Sequence, residues 1–201
     1  AGEAGITCLF SDCLGTERPG LTLSESVVGQ TFEDEMRSAK GKFIMTTFSS
    51  NISRIRQCVE AAIKFNRVIC FLGRSMIQNT KLTKEIGYLP IPHSFLIDDK
   101  RVKNMPANKV CIIAAGSQGQ FDSALSKIAN NLNKFIKIEP GDKVVFSSDP
   151  IPGQEDDVYD LIERLYMLKA QVVYSHTTER LHASGHGNQD DLKFLIRFTK
   201  P

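Results

Sequence analysis

Residues 42–52 read KFIMTTFSSNI, and this stretch decides the fold. Its first part, residues 42–48, is an apolar run of strand length in which apolar and polar side chains do not alternate. Such a run is typical of a strand in a parallel sheet that is buried on both faces. The apolar residues that follow have helical spacing: Ile52, Ile55, Val59, Ala62 and Ile63. The stretch therefore predicts a buried strand that leads directly into a helix.

Apolar runs of the same kind recur along the chain. They cover residues 6–10, 67–72, 109–115, 143–146 and 171–174. Two more helical stripes are formed by Leu125, Ile128, Ala129 and Leu132 and by Val158, Leu161, Ile162, Leu165 and Tyr166. Strands that alternate with helices predict an α/β fold with a mostly parallel sheet flanked by helices on both faces. Residues 90–106 contain three prolines and predict an excursion or a lid, and residues 134–142 predict a turn.

The composition is that of an ordinary globular protein, with 41% hydrophobic and 24% charged residues in a chain of 201. This excludes a disordered tail, a collagen-like repeat and a small disulfide scaffold. The five cysteines are an odd number and never form C-x-x-C, which argues against a disulfide framework and a thiolate zinc site and favours a cytoplasmic protein. Since no apolar run approaches the roughly 18 residues of a membrane span, we expect no membrane partner.

The net charge of +2 indicates no strongly charged partner, but the charges are unevenly distributed. Residues 100–145 hold eight Lys or Arg against three acids, whereas residues 149–163 hold six acids and no base. Charge runs of this size are usually solvated faces, and that is the interpretation favoured here.

Small polar residues and glycines follow most of the predicted strands. Ligands of open α/β sheets bind just beyond the carboxyl ends of the strands, where these residues are expected to meet. They are Ser11-Asp12, Ser49-Ser50-Asn51, Gly73-Arg74-Ser75, Gly116-Ser117-Gln118-Gly119, Ser147-Ser148-Asp149, Ser175-His176 and His182-Ala183-Ser184-Gly185-His186-Gly187. Glycine amides, hydroxyl groups and the start of the helix after Asn51 are suited to binding a phosphate.

Most of these signals also have a purely structural explanation. Ser50 or Asn51 can serve only as the helix N-cap, and an acid such as Asp12 can be structural. Gly116-x-x-Gly119 falls short of the dinucleotide fingerprint and lacks the Lys-Ser/Thr of a P-loop. The segment His182-x-Ser184-Gly185-His186 is more informative, because its two imidazoles flank a Ser-Gly pair that disfavours a helix. A functional and a structural role for these histidines both remain open.

The sequence contains no complete metal site. A catalytic zinc takes about three protein ligands and a two-metal nuclease site takes more, yet neither H-x-H-x-D-H nor H-E-x-x-H occurs. A Ser-His-Asp triad is possible in composition, but the G-x-S-x-G segment that would position its serine does not occur. We therefore expect this chain by itself to bind no metal.

Five segments resemble, in the same order, the motifs of the ribonuclease J family, and together they span nearly the whole chain. They are Ser11-Asp12 with Glu17-Arg18-Pro19-Gly20-Leu21-Thr22-x-Ser24-Glu25, Thr47-Phe48-Ser49-Ser50-Asn51-Ile52-x-Arg54, Gly116-Ser117-Gln118-Gly119 with Ala124-Leu125-Ser126-x-Ile128-Ala129, Ser147-x-x-Pro150-Ile151-Pro152-Gly153 and His182-x-Ser184-Gly185-His186. The family consists of metallo-β-lactamase-type nucleases with an inserted β-CASP domain.

The resemblance implies how the chain is organised. Residues 31–176 are expected to form a Rossmann-like β-CASP domain. Residues 1–30, with the family's motif A, and the return segment 177–201, with motif B, are expected to belong to the flanking metallo-β-lactamase domain. The parent protein would be a homo-oligomeric endonuclease and 5′–3′ exonuclease acting on single-stranded RNA with a 5′-monophosphate end. Its zinc ligands would lie outside this chain, and the chain alone would be inactive.

The resemblance also assigns roles to individual residues. The motif A acid falls on Asp12 and the motif B histidine on His186. In relatives the acid supports the histidine, which lies at the metal centre and is thought to protonate the leaving 3′ oxygen. Contacts to the substrate phosphate fall on Ser50, Asn51, Ile52, His182, Ala183, Ser184, Gly185 and His186.

Two departures from the family pattern matter. The family's Ser-Thr-Asn after the motif A acid is Cys13-Leu14-Gly15 here, which changes the hydrogen-bonding groups next to Asp12. The segment H-x-H-x-D-H and the motif C histidine do not occur and are expected elsewhere in the parent. The alternative is a stand-alone nucleotide- or phosphate-binding α/β module without catalysis. A reading frame that continues upstream with H-x-H-x-D-H would favour the nuclease.

Overall fold

A computed structural model of the chain describes residues 2–178 and 180–201. Within these residues one sheet contains five strands, all parallel, in the order β2-β3-β1-β4-β5. The strands are β1 (Phe43–Thr46), β2 (Val68–Leu72), β3 (Val110–Ala114), β4 (Lys143–Phe146) and β5 (Gln171–Val173). Every residue of β1, β3 and β4 is buried, as the unbroken apolar runs indicated. The predicted α/β class is confirmed.

The helices are α1 (Ser26–Ser38), α2 (Ile52–Lys64), α3 (Arg74–Glu85), α4 (Asp99–Val102), α5 (Ala124–Ala129), α6 (Glu155–Met167) and α7 (Gln189–Thr199). The three predicted stripes correspond to α2, α5 and α6. The sequence analysis missed α1, although its buried residues Val28, Phe32 and Met36 are spaced four apart. It also missed α3, which buries only Met76 and Thr80, and α7, which buries none of its side chains.

Helices cover both faces of the sheet. On one face, Leu125 of α5 and Leu161 of α6 belong to the same buried apolar cluster as Ile112 of β3. On the other face, the thiol of Cys58 in α2 lies 3.9 Å from the thiol of Cys111 in β3. Successive residues of a strand point to opposite faces, so Cys111 and Ile112 separate the two helix layers. Every helix of the described residues is too short or too polar to cross a lipid bilayer.

Two local predictions were wrong, and a third was correct in one of its two alternatives. Residues 6–10 form no strand: Phe10 is 93% exposed, and no neighbouring strand in the described residues pairs with this segment. The stripe that reached Leu132 ends earlier, because Asn131 adopts a left-handed conformation (φ 59°) that terminates α5. For residues 90–106 the excursion is confirmed: Ile91 and Val102 are buried, and the Ile97 N–H donates to Ile69 O of the edge strand β2 at 3.0 Å.

The turn predicted over residues 134–142 is held by charges at the amino ends of the strands. Lys42 Nζ lies 2.7 Å from Glu139 and 3.0 Å from Asp142, and both Lys42 and Asp142 are buried. Asp142 Oδ1 also accepts the backbone N–H of Lys42 at 2.7 Å. These contacts fix where β1 and β4 begin, and therefore where their carboxyl ends fall.

The chain divides into two compact units. One consists of residues 28–182 and contains the whole sheet with α1–α6. The other joins the two chain ends, residues 1–27 and 183–201. Within this second unit the N–H and the hydroxyl of Thr22 both donate to Asp191 Oδ2, at 2.8 and 2.6 Å. The assignment of these two flanks to a metallo-β-lactamase domain stays a prediction.

Candidate functional site

The carboxyl ends of β1, β2 and β3 surround a cavity of about 870 Å³. Residues that the sequence analysis placed after these strands line it: Ser49, Gly73, Arg74, Ser75, Gly116, Ser117 and Gln118. The prediction that these three strand ends share one rim of the sheet is therefore confirmed. The expectation that Ser11-Asp12 ends a strand is wrong, because residues 6–10 are not a strand.

Asn51 is the N-cap of α2. Its Oδ1 accepts the backbone N–H of Arg54 at 3.1 Å, and its backbone carbonyl accepts the N–H of Ile55. The N–H of Ile52 is also used, since it donates to Ser50 O at 2.9 Å. The structural explanation for Asn51 is thus correct, whereas the exposed hydroxyl of Ser50 makes no hydrogen bond within the described chain.

Arg54, to which the sequence analysis gave no role, organises the neighbourhood of α2. Its side chain is completely buried, and Nη1 donates to Ser147 O at 2.6 Å, to Ser147 Oγ at 3.0 Å and to Leu181 O at 3.4 Å. A buried cation of this kind is tolerated only when carbonyl or carboxylate oxygens satisfy it. The sequence does contain a pattern that could have indicated this burial. Arg54 directly precedes Ile55 and lies one turn before Cys58, and both of these residues belong to the buried face of α2.

The same guanidinium holds His182. Arg54 Nη1 lies 3.3 Å from His182 Nδ1. This contact links the imidazole ring of His182 to α2.

Asp12 and His186 form the second pair of predicted residues that the structure brings together. Asp12 Oδ2 and His186 Nδ1 are 2.6 Å apart, and both side chains are about half exposed. The hydrogen bond from His186, with a second from the Leu14 N–H to Asp12 Oδ1 at 3.1 Å, lowers the pKa of Asp12. The second bond comes from a backbone group, so the Cys13-Leu14-Gly15 sequence still supplies a donor to this acid.

Backbone hydrogen bonds shape the loop that carries His186. Ser184 Oγ accepts the N–H of His186 at 3.1 Å, and Asp191 Oδ2 accepts the N–H of Asn188 at 3.0 Å. Asp191 also receives the two hydrogen bonds from Thr22, and these lower the pKa of Asp191. The loop is thereby tied to residues of the other chain end.

His176 does not join either pair. Its Nε2 lies 3.2 Å from the hydroxyl of Tyr159, and its ring packs against Tyr174. All five cysteines are free thiols, of which Cys8 and Cys13 are exposed. Among the described residues no three or more His, Cys, Asp or Glu side chains are grouped so that they could hold a metal ion. The residues present therefore do not fit a zinc site.

Comparison with known proteins places the chain in a family. Residues 40–165 match the profile of the family described as ribonuclease J, beta-CASP domain, and this range lies inside the unit of residues 28–182. The parallel sheet and the matched range together define a β-CASP α/β domain. The chain belongs to the ribonuclease J family.

Three curated relatives show the extent of the similarity. The chain is 38% identical over 200 residues to ribonuclease J of Helicobacter pylori, 40% identical over 201 residues to ribonuclease J of Thermus thermophilus and 38% identical over 200 residues to ribonuclease J2 of Bacillus subtilis. Each alignment covers 100% of this chain but only 29%, 35% and 36% of those proteins. The chain thus spans about a third of the length of the curated relatives it matches.

Proposed function

We propose that this chain is the β-CASP portion of an RNA-cleaving ribonuclease J, to which it contributes a general acid and a binding site for the RNA 5′-phosphate. The family membership and the shared name of the relatives support RNA as the substrate. The hydrogen bond between Asp12 and His186 is the observation that carries the catalytic part of the proposal.

The surface of the smaller unit supports a longer protein. Phe10, Leu14, Phe194 and Phe198 are large apolar side chains that are exposed in this unit. Apolar groups on a solvated surface favour burial against a further part of the protein, at about 25 cal/mol per Å² of apolar area removed from water. The relatives are about three times as long as this chain. We expect residues outside the chain to cover these side chains.

In the proposed mechanism His186 protonates the leaving oxygen. Hydrolysis of a phosphodiester with a 3′-oxygen leaving group breaks the P–O3′ bond, and the oxygen needs a proton as the bond breaks. With Nδ1–H donated to Asp12, the ring of His186 is oriented, and its doubly protonated form donates the Nε2 proton to the leaving oxygen and becomes the neutral imidazole. Asp12 is a positioning residue, because it acts through the histidine.

Two groups of residues are each proposed, separately, to contact the RNA 5′-phosphate. In the larger unit these are Ser50, Asn51, Ile52 and His182, and in the smaller unit Ala183, Ser184, Gly185 and His186. The hydroxyl of Ser50, which makes no hydrogen bond within the described chain, and the start of α2 support the first group, because each can donate to, or favour, an anion.

The metal chemistry is proposed to depend on residues outside this chain. Two zinc ions would supply the attacking hydroxide in the longer protein. The described residues do not form such a site, so we propose that the chain alone lacks nuclease activity. The parent is proposed to combine endonucleolytic with 5′–3′ exonucleolytic cleavage, as a homo-oligomer.

The test compares the isolated chain with a protein that continues beyond both of its ends. Both are incubated with single-stranded RNA that carries either a 5′-monophosphate or a 5′-hydroxyl group, with and without a chelator. We expect chelator-sensitive cleavage only by the longer protein, with preference for the monophosphate. Chelator-sensitive cleavage by the chain alone, absent from a mock purification, would contradict the proposal. Phosphate binding by a chain that proves complete would favour the stand-alone module instead.

A further inference from the structure

We infer that the cavity at the carboxyl ends of β1, β2 and β3 is a second phosphate-binding site, which takes the phosphate ester of a nucleotide and is distinct from the residues proposed above for the RNA 5′-phosphate. The part of this inference that concerns RNA rests on the proposed function. The same chemistry would also bind a free mononucleotide, and the experiment below separates these two sources.

The side chain of Ser117 points to a ligand. Ser117 lines the cavity and is only 3% exposed, yet its hydroxyl makes no hydrogen bond within the described chain. Ser117 Oγ is not among the polar atoms that are completely shielded from solvent, so it is accessible to a ligand in the cavity. A phosphate oxygen in the cavity would supply the missing acceptor.

The backbone on either side of Ser117 adds donors. Gly116 has φ 121°, and a Cβ there would lie 2.3 Å from Ser123 Oγ, so the sharp bend of this loop requires glycine. In the described chain the N–H groups of Ser117 and Gln118 donate to no protein acceptor. Successive unpaired N–H groups in a tight loop form a concave binding site for anions.

The start of α3 faces the same cavity. The helix is 12 residues long, begins after Gly73 and has no side-chain cap. Arg74 and Ser75, its first two residues, both line the cavity, and their N–H groups have no acceptor in the described chain. The unpaired N–H groups and the dipole of a helix N-terminus favour a negative charge.

The charges around the cavity nearly balance. Arg74 and Lys127 contribute two cations, while Asp99 and Asp122 contribute two acids. Lys127 lies 3.5 Å from Asp122, which is almost fully exposed, whereas Arg74 forms no ion pair within the described chain. One free guanidinium and several neutral donors suit a single phosphate group better than a chain of adjacent phosphates.

The size and the remaining lining suit the rest of a nucleotide. Small-molecule sites typically have volumes of about 300–1,000 Å³, and this cavity has about 870 Å³. The side chains of Gln78 and Gln120 line it and can both donate and accept hydrogen bonds. A ribose or a base edge would find partners there while the phosphate binds at Ser117 and Arg74.

The experiment is an amide chemical-shift titration of the intact 201-residue chain with three probes. The probes are inorganic phosphate, uridine 5′-monophosphate and a ten-nucleotide oligouridylate with a 5′-hydroxyl group. We expect saturable shifts of the amides of Arg74, Ser75, Ser117 and Gln118. Saturation by uridine 5′-monophosphate but not by the oligonucleotide indicates a free nucleotide, and the reverse indicates the RNA backbone. Shifts at these amides with phosphate alone still support the site.

Two variants and two matched controls test the named groups. Ser117→Ala and Arg74→Gln should each weaken binding about tenfold, because each removes a donor to a charged acceptor. Ser148→Ala removes another buried hydroxyl without a partner, and Lys81→Gln removes another cation of α3; neither residue lines the cavity. Both controls should retain wild-type affinity.

Several results would overturn the inference. If none of the three probes shifts the amides of Arg74, Ser75, Ser117 and Gln118 in the unaltered chain, the cavity is not a phosphate site. Shifts confined to the amides of Ser50, Asn51 and Ile52 would also show that the cavity is not a phosphate site. They would still agree with the proposed 5′-phosphate site. Equal losses of affinity in the variants and the controls would assign the effect to stability. If the longer protein showed no nuclease activity, the proposed function would fail, but the amide shifts would still test the cavity independently.

Discussion

Asp12 and His186 lie 174 positions apart in the sequence, and a hydrogen bond of 2.6 Å joins Oδ2 of the carboxylate to Nδ1 of the imidazole. Both residues belong to the unit formed by the two chain ends. The contact therefore depends on the closure of that unit, in which Thr22 binds Asp191. It orients the histidine through one ring nitrogen and leaves the other available.

Replacement of His186 by alanine in the longer protein should reduce turnover far more than RNA affinity. A general acid typically contributes about 10²- to 10⁴-fold to the rate, whereas a single phosphate contact contributes little to affinity. Single-turnover cleavage and filter binding on the same RNA measure the two quantities. Asp12→Ala should act in the same direction, and His176→Ala, which removes a histidine bonded to Tyr159, is the control. Near-parental turnover in both variants would refute the roles given to Asp12 and His186.

Removal of His186 should raise the pKa of Asp12 towards its ordinary value, because the hydrogen bond from His186 is the largest cause of its lowering. A carboxyl group whose pKa is lowered by folding contributes stability above its unfolded pKa. That contribution is lost as the pH falls through the folded pKa. Carboxyl chemical shifts followed from pH 2 to pH 6 in the unaltered chain and in His186→Ala measure the change. The pKa of Asp191, lowered by Thr22 instead, should stay low in this variant and rise in Thr22→Val.

Arg54→Met should lower the free energy of unfolding by about 3 kcal/mol, because it removes the buried donor that bonds Ser147 O, Ser147 Oγ and Leu181 O. At about 2–4 °C per kcal/mol for a chain of this size, Tm should fall by roughly 6–12 °C. Urea denaturation and a thermal scan measure both. Arg56→Met on the exposed side of the same helix breaks only a pair with Glu60 and should cost less than about 1 kcal/mol. Equal losses in the two variants would contradict the role given to Arg54.

Ser50→Ala should reduce the preference of the longer protein for RNA with a 5′-monophosphate over RNA with a 5′-hydroxyl group. Within the described residues the Ser50 hydroxyl makes no hydrogen bond, so its removal should leave stability almost unchanged. Asn51→Ala should reduce the same preference and should also lower the free energy of unfolding by about 1 kcal/mol, since Asn51 caps α2. Cleavage rates on the two RNAs and denaturation of each variant separate the effects. An unchanged end preference in both variants would contradict the proposed phosphate contacts and leave Asn51 with a structural role only.

The folded chain should react with DTNB at two cysteines only. Cys8 and Cys13 are exposed, whereas Cys58, Cys70 and Cys111 are buried. Burial raises the pKa of Cys70 to about 12 and also raises that of Cys58, so neither forms a thiolate near neutral pH. Absorbance should report two thiols in buffer and five in denaturant, and none fast in the double variant Cys8→Ala/Cys13→Ala. A third fast thiol in the folded chain would contradict the packing between α2 and the sheet.

The periodicity of the sequence was sufficient to predict the core of the fold. The apolar runs that become β1, β3 and β4 and the stripes that become α2, α5 and α6 are local patterns, and burial on both faces of a parallel sheet leaves such patterns unbroken. The prediction failed where an apolar segment of the sequence is not buried in the structure. Residues 6–10 are as apolar as a strand but pair with no strand of the described residues, and α7 fully buries none of its apolar side chains.

The residue types of the candidate site were also readable from the sequence, because chemistry depends on serine, aspartate, glycine and histidine at strand ends. The hydrogen-bond partners of these residues could not be predicted from the sequence. These contacts join residues that are 93 to 174 positions apart in the sequence. They are the hydrogen bond between Asp12 and His186 and the contacts of Arg54 with Ser147 and His182. No local spacing encodes such distances, since they arise only when the chain closes and the buried polar groups must find donors and acceptors. The tertiary structure alone decided which histidine contacts an acid, which one contacts an arginine, and that Ser117 lines the cavity with a hydroxyl that makes no hydrogen bond within the described chain.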